Sequence, residues 1–426
     1  MKFIADFHIH TRYSRATSKQ MVIPEIARMA KIKGIDLVAT GDFTHPLWIK
    51  SIKNELIELG NGLLKQKDNP DSPYFILSSE ISLIYKYKDK TRKIHLIVLA
   101  PDIKTVEKIN NKLSKIGNIY SDGRPILGLN AIDLVKIVLD INFKCAIIPA
   151  HIWTPWFSVF GSKSGFDSLK DCFESYTQYI FAAETGLSSD PEMNWRLSML
   201  DNITLISNSD AHSPGNLGRE ANVFEIEDIK NISYDKIISL IKNAKSPHYK
   251  NAKEKLLYTI EFYPEEGKYH YDGHAPCFMC LNPSQTKKNN YLCPKCGRNI
   301  TVGVYHRVEE LADRPTGFQP KNVPGSRHII PLEEIIAEYS NVGKKTKTVK
   351  NIYDKMISEL GSEFSILLDV PAHKLYKTVD KKLANGIIKA RDGKIITFPG
   401  YDGIYGKILV FNRNVKKGEY QKTIFE

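Results

Sequence analysis

The chain predicts an α/β protein in three parts: a repeated βα region over 1–248, a linker and four-cysteine module over 249–305, and a small α/β domain over 306–426. Three observations carry this. Short β-rich runs alternate with helical patterns through the first 245 residues, which means a mainly parallel sheet or barrel. Most of those runs end in histidine, aspartate or glutamate, and in βα barrels the chemistry sits at the C-terminal strand ends. Two Cys-x-x-Cys pairs then interrupt the pattern before it resumes.

The elements follow in order. Residues 2–7 form a strand leading into Asp6-Phe7-His8-Ile9-His10. Strand alternation turns His8 and His10 to the same side, which is half of a metal site. Pro24 opens a helix that Gly34 stops. Residues 35–39 are a strand, and 48–60 a helix. Runs at 75–77 and 94–99 flank a basic tip over 86–93, a hairpin. Helices near 103–116 and 131–140 precede a strand at 145–148, and later strands end near Ala183 and Ile206.

The strand ends carry the chemistry. Asp42 follows the second strand with His45 nearby, Glu80 the third, and His95 lies within the fourth. His151, Glu184, Asp210 and His212 follow later strands. Any one of these is explained by a helix cap or a satisfied polar group. Together at one barrel mouth they point to a polynuclear metal centre of His8, His10, Asp42, Glu80, His95, His151, Asp210 and His212. Imidazole with carboxylate suits Zn²⁺, Mg²⁺ or Mn²⁺. Glu80 is the candidate bridge between two ions. Two ions clamp an in-line phosphoryl displacement and activate a water near neutral pH. Asp210, His212 and Glu184 are assigned to catalysis, with Asp210 as ligand and proton acceptor.

The set His8-x-His10, Asp42, Glu80, His95, His151 and Asp210-x-His212 resembles the PHP (polymerase and histidinol phosphatase) superfamily. That resemblance implies a distorted seven-stranded βα barrel with two or three divalent ions. Two positions depart from the pattern. Ala16 stands where many members have a further His, and Asp42 stands where His is usual. Thr40-Gly41-Asp42, Pro149-Ala150-His151-x-x-Thr154-Pro155-Trp156, Glu184-Thr185-Gly186-Leu187-Ser188-Ser189-Asp190 and Ser207-Asn208-Ser209-Asp210-Ala211-His212-Ser213 narrow the likeness to the endonuclease Q family, over nearly the whole chain. The narrower resemblance implies DNA repair. It implies hydrolysis, by metal-activated water, of the phosphodiester 5′ to a deaminated base (uracil, hypoxanthine, xanthine) or an abasic site. Composition and spacing alone reach only a metal-dependent phosphoesterase acting on nucleic acid.

Residues 246–272 are polar and punctuated by Pro and Gly, as a linker is. Cys277-x-x-Cys280 and Cys293-x-x-Cys296-Gly297 have the spacing of a structural zinc site, with a rubredoxin-like iron centre as the alternative. Cys145 and Cys172 read as buried apolar residues. Beyond 301, helices are expected over 331–339 and 346–360 and strands over 365–370 and 394–398, with a turn at 400–403.

The formal charge is +12, with 60 Lys and Arg against 48 Asp and Glu, which suits a polyanion. Double-stranded DNA is the expected partner, with Arg12, Trp156, Arg219, Lys344 and Lys345 as contact candidates. A sliding clamp is carried as a further partner on the slender hint of the tail over 421–426. The start has no apolar signal region and no run is long enough to span a bilayer, so a cytoplasmic, nucleoid-associated protein without membrane contact is expected. Two rival readings remain: a histidinol-phosphate type phosphatase, and a DNA-binding accessory protein without catalysis.

Overall fold

The computed structural model describes residues 1–411. They divide into two compact units, Met1–Phe262 with Leu311–Arg327, and Tyr263–Glu310 with the residues from His328 onward.

The first unit is a barrel of seven strands, whose parallel order is broken once. Strand β1 (Lys2–Asp6) runs parallel to β2 (Leu37–Ala39), which runs parallel to β3 (Tyr74–Tyr87). Strand β4 (Lys90–Ala100) pairs antiparallel with β3 in a long hairpin, from Leu77 opposite Ala100 to Tyr87 opposite Lys90. Strand β5 (Ala146–Pro149) pairs antiparallel with β4. Strands β6 (Ala182–Glu184) and β7 (Thr204–Ile206) pair parallel. The Ile152 N–H donates to the Glu184 carbonyl at 3.0 Å across the gap between β5 and β6. A parallel bridge between Ile9 and Ala211 closes the ring onto β1. Strands buried on both faces are apolar throughout, as Ile97, Val98, Leu99 and Ala100 are.

The helices cover this sheet. Helix α1 (Ile23–Lys33) starts on Pro24 and ends on Gly34, whose φ of 89° is the left-handed cap that favours glycine. Helix α2 (Pro46–Glu55) is shorter than expected. The chain leaves it to pair 56–58 with 64–66 as a small hairpin. Helix α3 (Ile103–Leu113) is capped by the Asp102 side chain and buries Val106, Ile109 and Leu113 on one stripe. Helices α4 (Ala131–Ile141) and α5 (Tyr234–Asn243) are capped by Asn130 and Ser233.

Two boundaries differ from the expected ones. The stretch expected as a linker contains β9 (Lys255–Glu261), which pairs antiparallel with β8 (Ala221–Glu225), itself antiparallel to β1. Residues 311–327 also belong to the barrel unit. The Arg314 guanidinium holds Asp201 with two bonds of 2.7 and 2.5 Å, and Asp313 accepts the Ser198 N–H at 2.9 Å.

The second unit begins with a short hairpin, β10 (Asp272–His274) with β11 (Met279–Leu281). It continues as helices α6 (Leu332–Ser340), α7 (Lys347–Leu360), α8 (Ala372–Thr378) and α9 (Lys381–Arg391), then a two-stranded ladder of β12 (Ile396–Phe398) and β13 (Lys407–Leu409). The strand expected over 365–370 is instead one wide helical turn, Ser365–Asp369. A short apolar run does not distinguish the two, and here Arg391 decides by donating to the carbonyls of Leu367 and Val370 at 2.9 and 2.6 Å. Among the described residues, no helix is long and apolar enough to cross a membrane. The tail over 421–426 lies outside the described residues.

Candidate metal centre and its surroundings

Glu80 projects from β3 and lies between two groups of side chains. Its Oε1 is 2.6 Å from His95 Nδ1 and 2.9 Å from His151 Nε2. Its Oε2 is 3.1 Å from His10 Nε2 and 3.5 Å from His8 Nε2. Asp210 Oδ1 completes the second group, 3.1 Å from His10 Nε2 and 3.8 Å from His8 Nε2. His8, His10 and Asp210 are close enough to hold one ion, and Glu80, His95 and His151 a second. A carboxylate with one oxygen in each group has the placement of a bridge.

The donors fit divalent cations by an independent observation. His8 Nε2, His10 Nε2 and Asp210 Oδ1 are buried with no hydrogen-bond partner. Buried polar atoms normally have one, and here all three converge on one point. Burial pushes Glu80 upward, but the neighbouring His95, Arg124 and His8 outweigh it and hold the carboxyl well below its usual range. Asp210 is likewise held down against burial by His10, His8 and His212. Burial lowers His95 to about 4, leaving a neutral imidazole.

A second layer orients these ligands. The Glu184 carboxylate is 3.0 Å from His8 Nδ1, accepts the His151 N–H at 2.9 Å and accepts from Asn208 at 3.2 Å. Asp42 stands 3.1 Å from His10 Nδ1 and accepts from the Thr11 N–H, the Thr11 hydroxyl and Ser14 at 2.7, 2.6 and 2.9 Å. Both residues therefore lie one layer behind the centre. The structure does not bring Asp42 into either ligand group, and Glu184 serves to orient His8 and His151 rather than face the centre. Asp6 anchors the Asp210 segment by accepting the N–H groups of Ser209 and Gly218, both at 3.1 Å. His212 flanks His10, with ring centres 4.5 Å apart. His45 stacks on Tyr13 and sits 3.2 Å from the Tyr120 carbonyl, away from both groups.

The backbone is strained where it presents these groups. Asp42, His151 and Asp210 have φ of 43°, 29° and 45°, left-handed values that cost a non-glycine residue about 1–3 kcal/mol. Gly186 has φ 65°, and a Cβ there would stand 2.4 Å from the His151 Cβ. Only glycine meets both conditions.

Sequence reasoning passed over Arg124, whose Nη1 donates to Glu80 Oε2 at 3.0 Å. It follows no strand, so strand-end logic had no means of finding it. Trp156 is exposed, whereas Trp153 is buried and donates to Asn194. Arg12 is exposed. Arg219 braces the Asp210 segment, donating to the carbonyls of Ser209 and Asp210 at 2.8 and 3.3 Å. In the second unit Lys344 pairs with Glu334 at 3.1 Å, and Lys345 is exposed.

The second metal group also differs from expectation. His274, Cys277, Cys293 and Cys296 present their ligand atoms together, and Cys280 is outside that set. Strand alternation is the reason. Met279 and Leu281 on β11 face the small core with Ile300, so Cys280 between them turns away, and its thiol meets the Pro399 carbonyl at 3.8 Å. The signal was present as His274-x-x-Cys277.

Comparison with known proteins places these groups in a family. The model of the MJ0043 C-terminal domain matches residues 331–394. The uncharacterised protein MJ0043 of Methanocaldococcus jannaschii is 35% identical over 262 residues, which is 61% of this chain but only 31% of that protein. The uncharacterised protein YqxK of Bacillus subtilis is 30% identical over 96% of this chain and 99% of its own. The crystal structure of a lesion-specific endonuclease from Pyrococcus furiosus is 32% identical with a TM-score of 0.84, over 99% of both chains. A structure of endonuclease Q with a 27-mer duplex bearing an abasic lesion is 32% identical with a TM-score of 0.83, over 98% of this chain and all of that one. Similarity of this extent, over both units, shows that the chain belongs to the endonuclease Q family.

Proposed function

We propose that this protein is a DNA repair endonuclease that hydrolyses the phosphodiester 5′ to deaminated bases (uracil, hypoxanthine, xanthine) and abasic sites. The observation that carries the reading is Glu80, with one oxygen toward His95 and His151 and the other toward His8, His10 and Asp210. Full-length similarity to an endonuclease seen with abasic-lesion DNA supports the substrate class.

The chain's own residues divide the work. Glu80, His95 and His151 would hold one divalent ion, and His8, His10, Asp210 and the other Glu80 oxygen a second. When bound, such ions polarise a phosphoryl oxygen and acidify a water. Asp210, held ionised and partly exposed, accepts the proton of the attacking water. Glu184 and Asp42 keep the imidazoles in the ligating orientation. Selectivity begins in the duplex, because deaminated or missing bases pair weakly and leave the stack at lower cost. Uracil and hypoxanthine carry a carbonyl where the parent base has an amino group, so an N–H donor aimed there discriminates between them. The exposed Trp156 ring suits stacking, and the basic surface suits the backbone.

The test is incubation of the full chain with end-labelled duplex DNA carrying one deoxyuridine or one abasic site, with Mg²⁺ or Mn²⁺. A nick immediately 5′ of the lesion is expected, absent from undamaged DNA. Asp210→Asn should lower its rate by at least about 10³-fold while binding stays intact. Intact lesion DNA with phosphate released from p-nitrophenyl phosphate would favour the phosphatase. Binding without either activity would favour the accessory protein.

A further inference from the structure

We propose that Arg124 is a catalytic residue, a fixed guanidinium clamp for a non-bridging oxygen of the scissile phosphate. The assignment deepens the nuclease reading and rests on it for the identity of the ester. It stands on four observations.

Arg124 is aimed at the centre. Its Nη1 donates to Glu80 Oε2, the oxygen that also faces His8 and His10. The guanidinium therefore lies beside the point where the two ligand groups meet.

The fork is incompletely used. Among the described residues, the guanidinium makes one hydrogen bond, through Nη1, and a quarter of the side chain is exposed. A guanidinium carries five N–H donors in a rigid plane, and phosphate oxygens match that plane. The Glu80 bond fixes the plane, and the remaining donors face accessible space.

The backbone on both sides of Arg124 is pinned. The Gly123 N–H donates to the Tyr13 carbonyl at 3.0 Å, and Thr44 donates to the Gly123 carbonyl at 3.0 Å. A Cβ on Gly123 would stand 2.3 Å from Asp42 Oδ2, so only glycine brings the loop this close. On the other side, the Ser82 N–H donates to the Pro125 carbonyl at 3.0 Å. An arginine held this firmly loses little rotamer freedom on meeting a ligand.

Charge completes the case. The carboxylates of Glu80 and Asp210 both face the point that an incoming phosphate must approach. A permanent cation there offsets their repulsion of the substrate, and it stays charged at every working pH.

The test uses the full-length protein loaded with Mn²⁺, comparing the parent with Arg124→Ala and Arg124→Lys. Titration calorimetry with inorganic phosphate should show binding at least about tenfold weaker in Arg124→Ala, with Arg124→Lys between, since an ammonium offers charge without the fork. Single-turnover nicking of uracil duplex should fall about 10²–10³-fold in Arg124→Ala. The Kd for that duplex should stay within about threefold, and added guanidinium should restore part of the rate. Equal phosphate binding and equal rates in parent and variant would overturn the clamp, as would absence of phosphate binding to the parent. Loss of bound Mn²⁺ from Arg124→Ala would also overturn it, by showing that Arg124 only braces Glu80. The two readings fail separately. A parent that binds phosphate through Arg124 but leaves lesion DNA intact keeps the clamp and loses the nuclease. A parent that nicks lesion DNA and is indifferent to Arg124 does the reverse.

Discussion

The barrel centre and the His274 group each gather side chains able to hold a metal ion, but by different means. The barrel ligands come from His8, His10, Glu80, His95, His151 and Asp210, on strands and strand ends that only the closed barrel brings together. They are oriented by Glu184 and Asp42 and seated over a large apolar core. The other group spans His274 to Cys296, a single short segment whose core is Leu281, Cys293 and Ile300 with Cys277 and Met279 against it. The first site is organised by the fold, so an ion would join a frame already built. In the second, a bound ion would supply much of what holds the segment together.

The sharpest way to break this comparison is to remove one ligand from each. Cys293→Ser should release the ion and unfold the 272–300 segment, since structural zinc is worth about 10–16 kcal/mol of folding in small modules. Hydrogen exchange should show fast exchange there and unchanged protection in β1–β5. Stripping the barrel ions with a chelator should do the opposite, abolishing activity with near-ultraviolet circular dichroism unchanged. Loss of barrel protection on chelation would erase the distinction.

Gly186→Ala comes next. It adds a Cβ at a left-handed φ and against His151, so it should cost about 1–3 kcal/mol by urea denaturation and displace one ligand. Retained stability and activity would mean that the second layer gives way easily. Glu184→Gln should be milder on the fold and weaken metal affinity about 10–100-fold, read by metal titration.

The smallest effect concerns Glu266 in the second unit. Burial first, then the neighbouring Glu334, raises its carboxyl from 4.5 to about 8. The folded state therefore holds the proton more tightly than the unfolded state, and stability falls as pH rises from about 4.5 to about 8. Glu266→Gln should flatten that slope in urea midpoints measured across this range. An unchanged slope would assign the pH dependence elsewhere.

What was legible in the sequence follows from local periodicity. Alternation alone placed His8 and His10 on one side of a strand end, and the apolar runs before Asp42, His151 and Asp210 marked other strand ends, whereas Glu80, expected after its strand, lies within β3 because the hairpin with β4 extends that strand to Tyr87. Proximity to the centre was therefore readable, but depth was not. Asp42 and Glu184 occupy the same kind of position as Asp210, yet hydrogen bonds from Thr11, Ser14 and Asn208 hold them a layer back. Those partners lie far away in sequence or carry no metal-ligand chemistry of their own. The same limit explains β9, a strand within a polar stretch that its partner β8 recruits.

The sequence by itself determined that imidazoles and carboxylates would gather at or beside the strand ends, that cysteines would cluster over residues 277–296, and that the net charge suits a polyanion. Periodicity, spacing and net charge are one-dimensional properties, and they survive without a fold. Only the tertiary structure decided that Glu80 lies between two groups, that His274 and not Cys280 faces the three other cysteines, and that Arg124 reaches the centre from a loop. Each of these depends on which way a side chain points once distant segments meet, and that direction is set by packing and hydrogen bonding between segments.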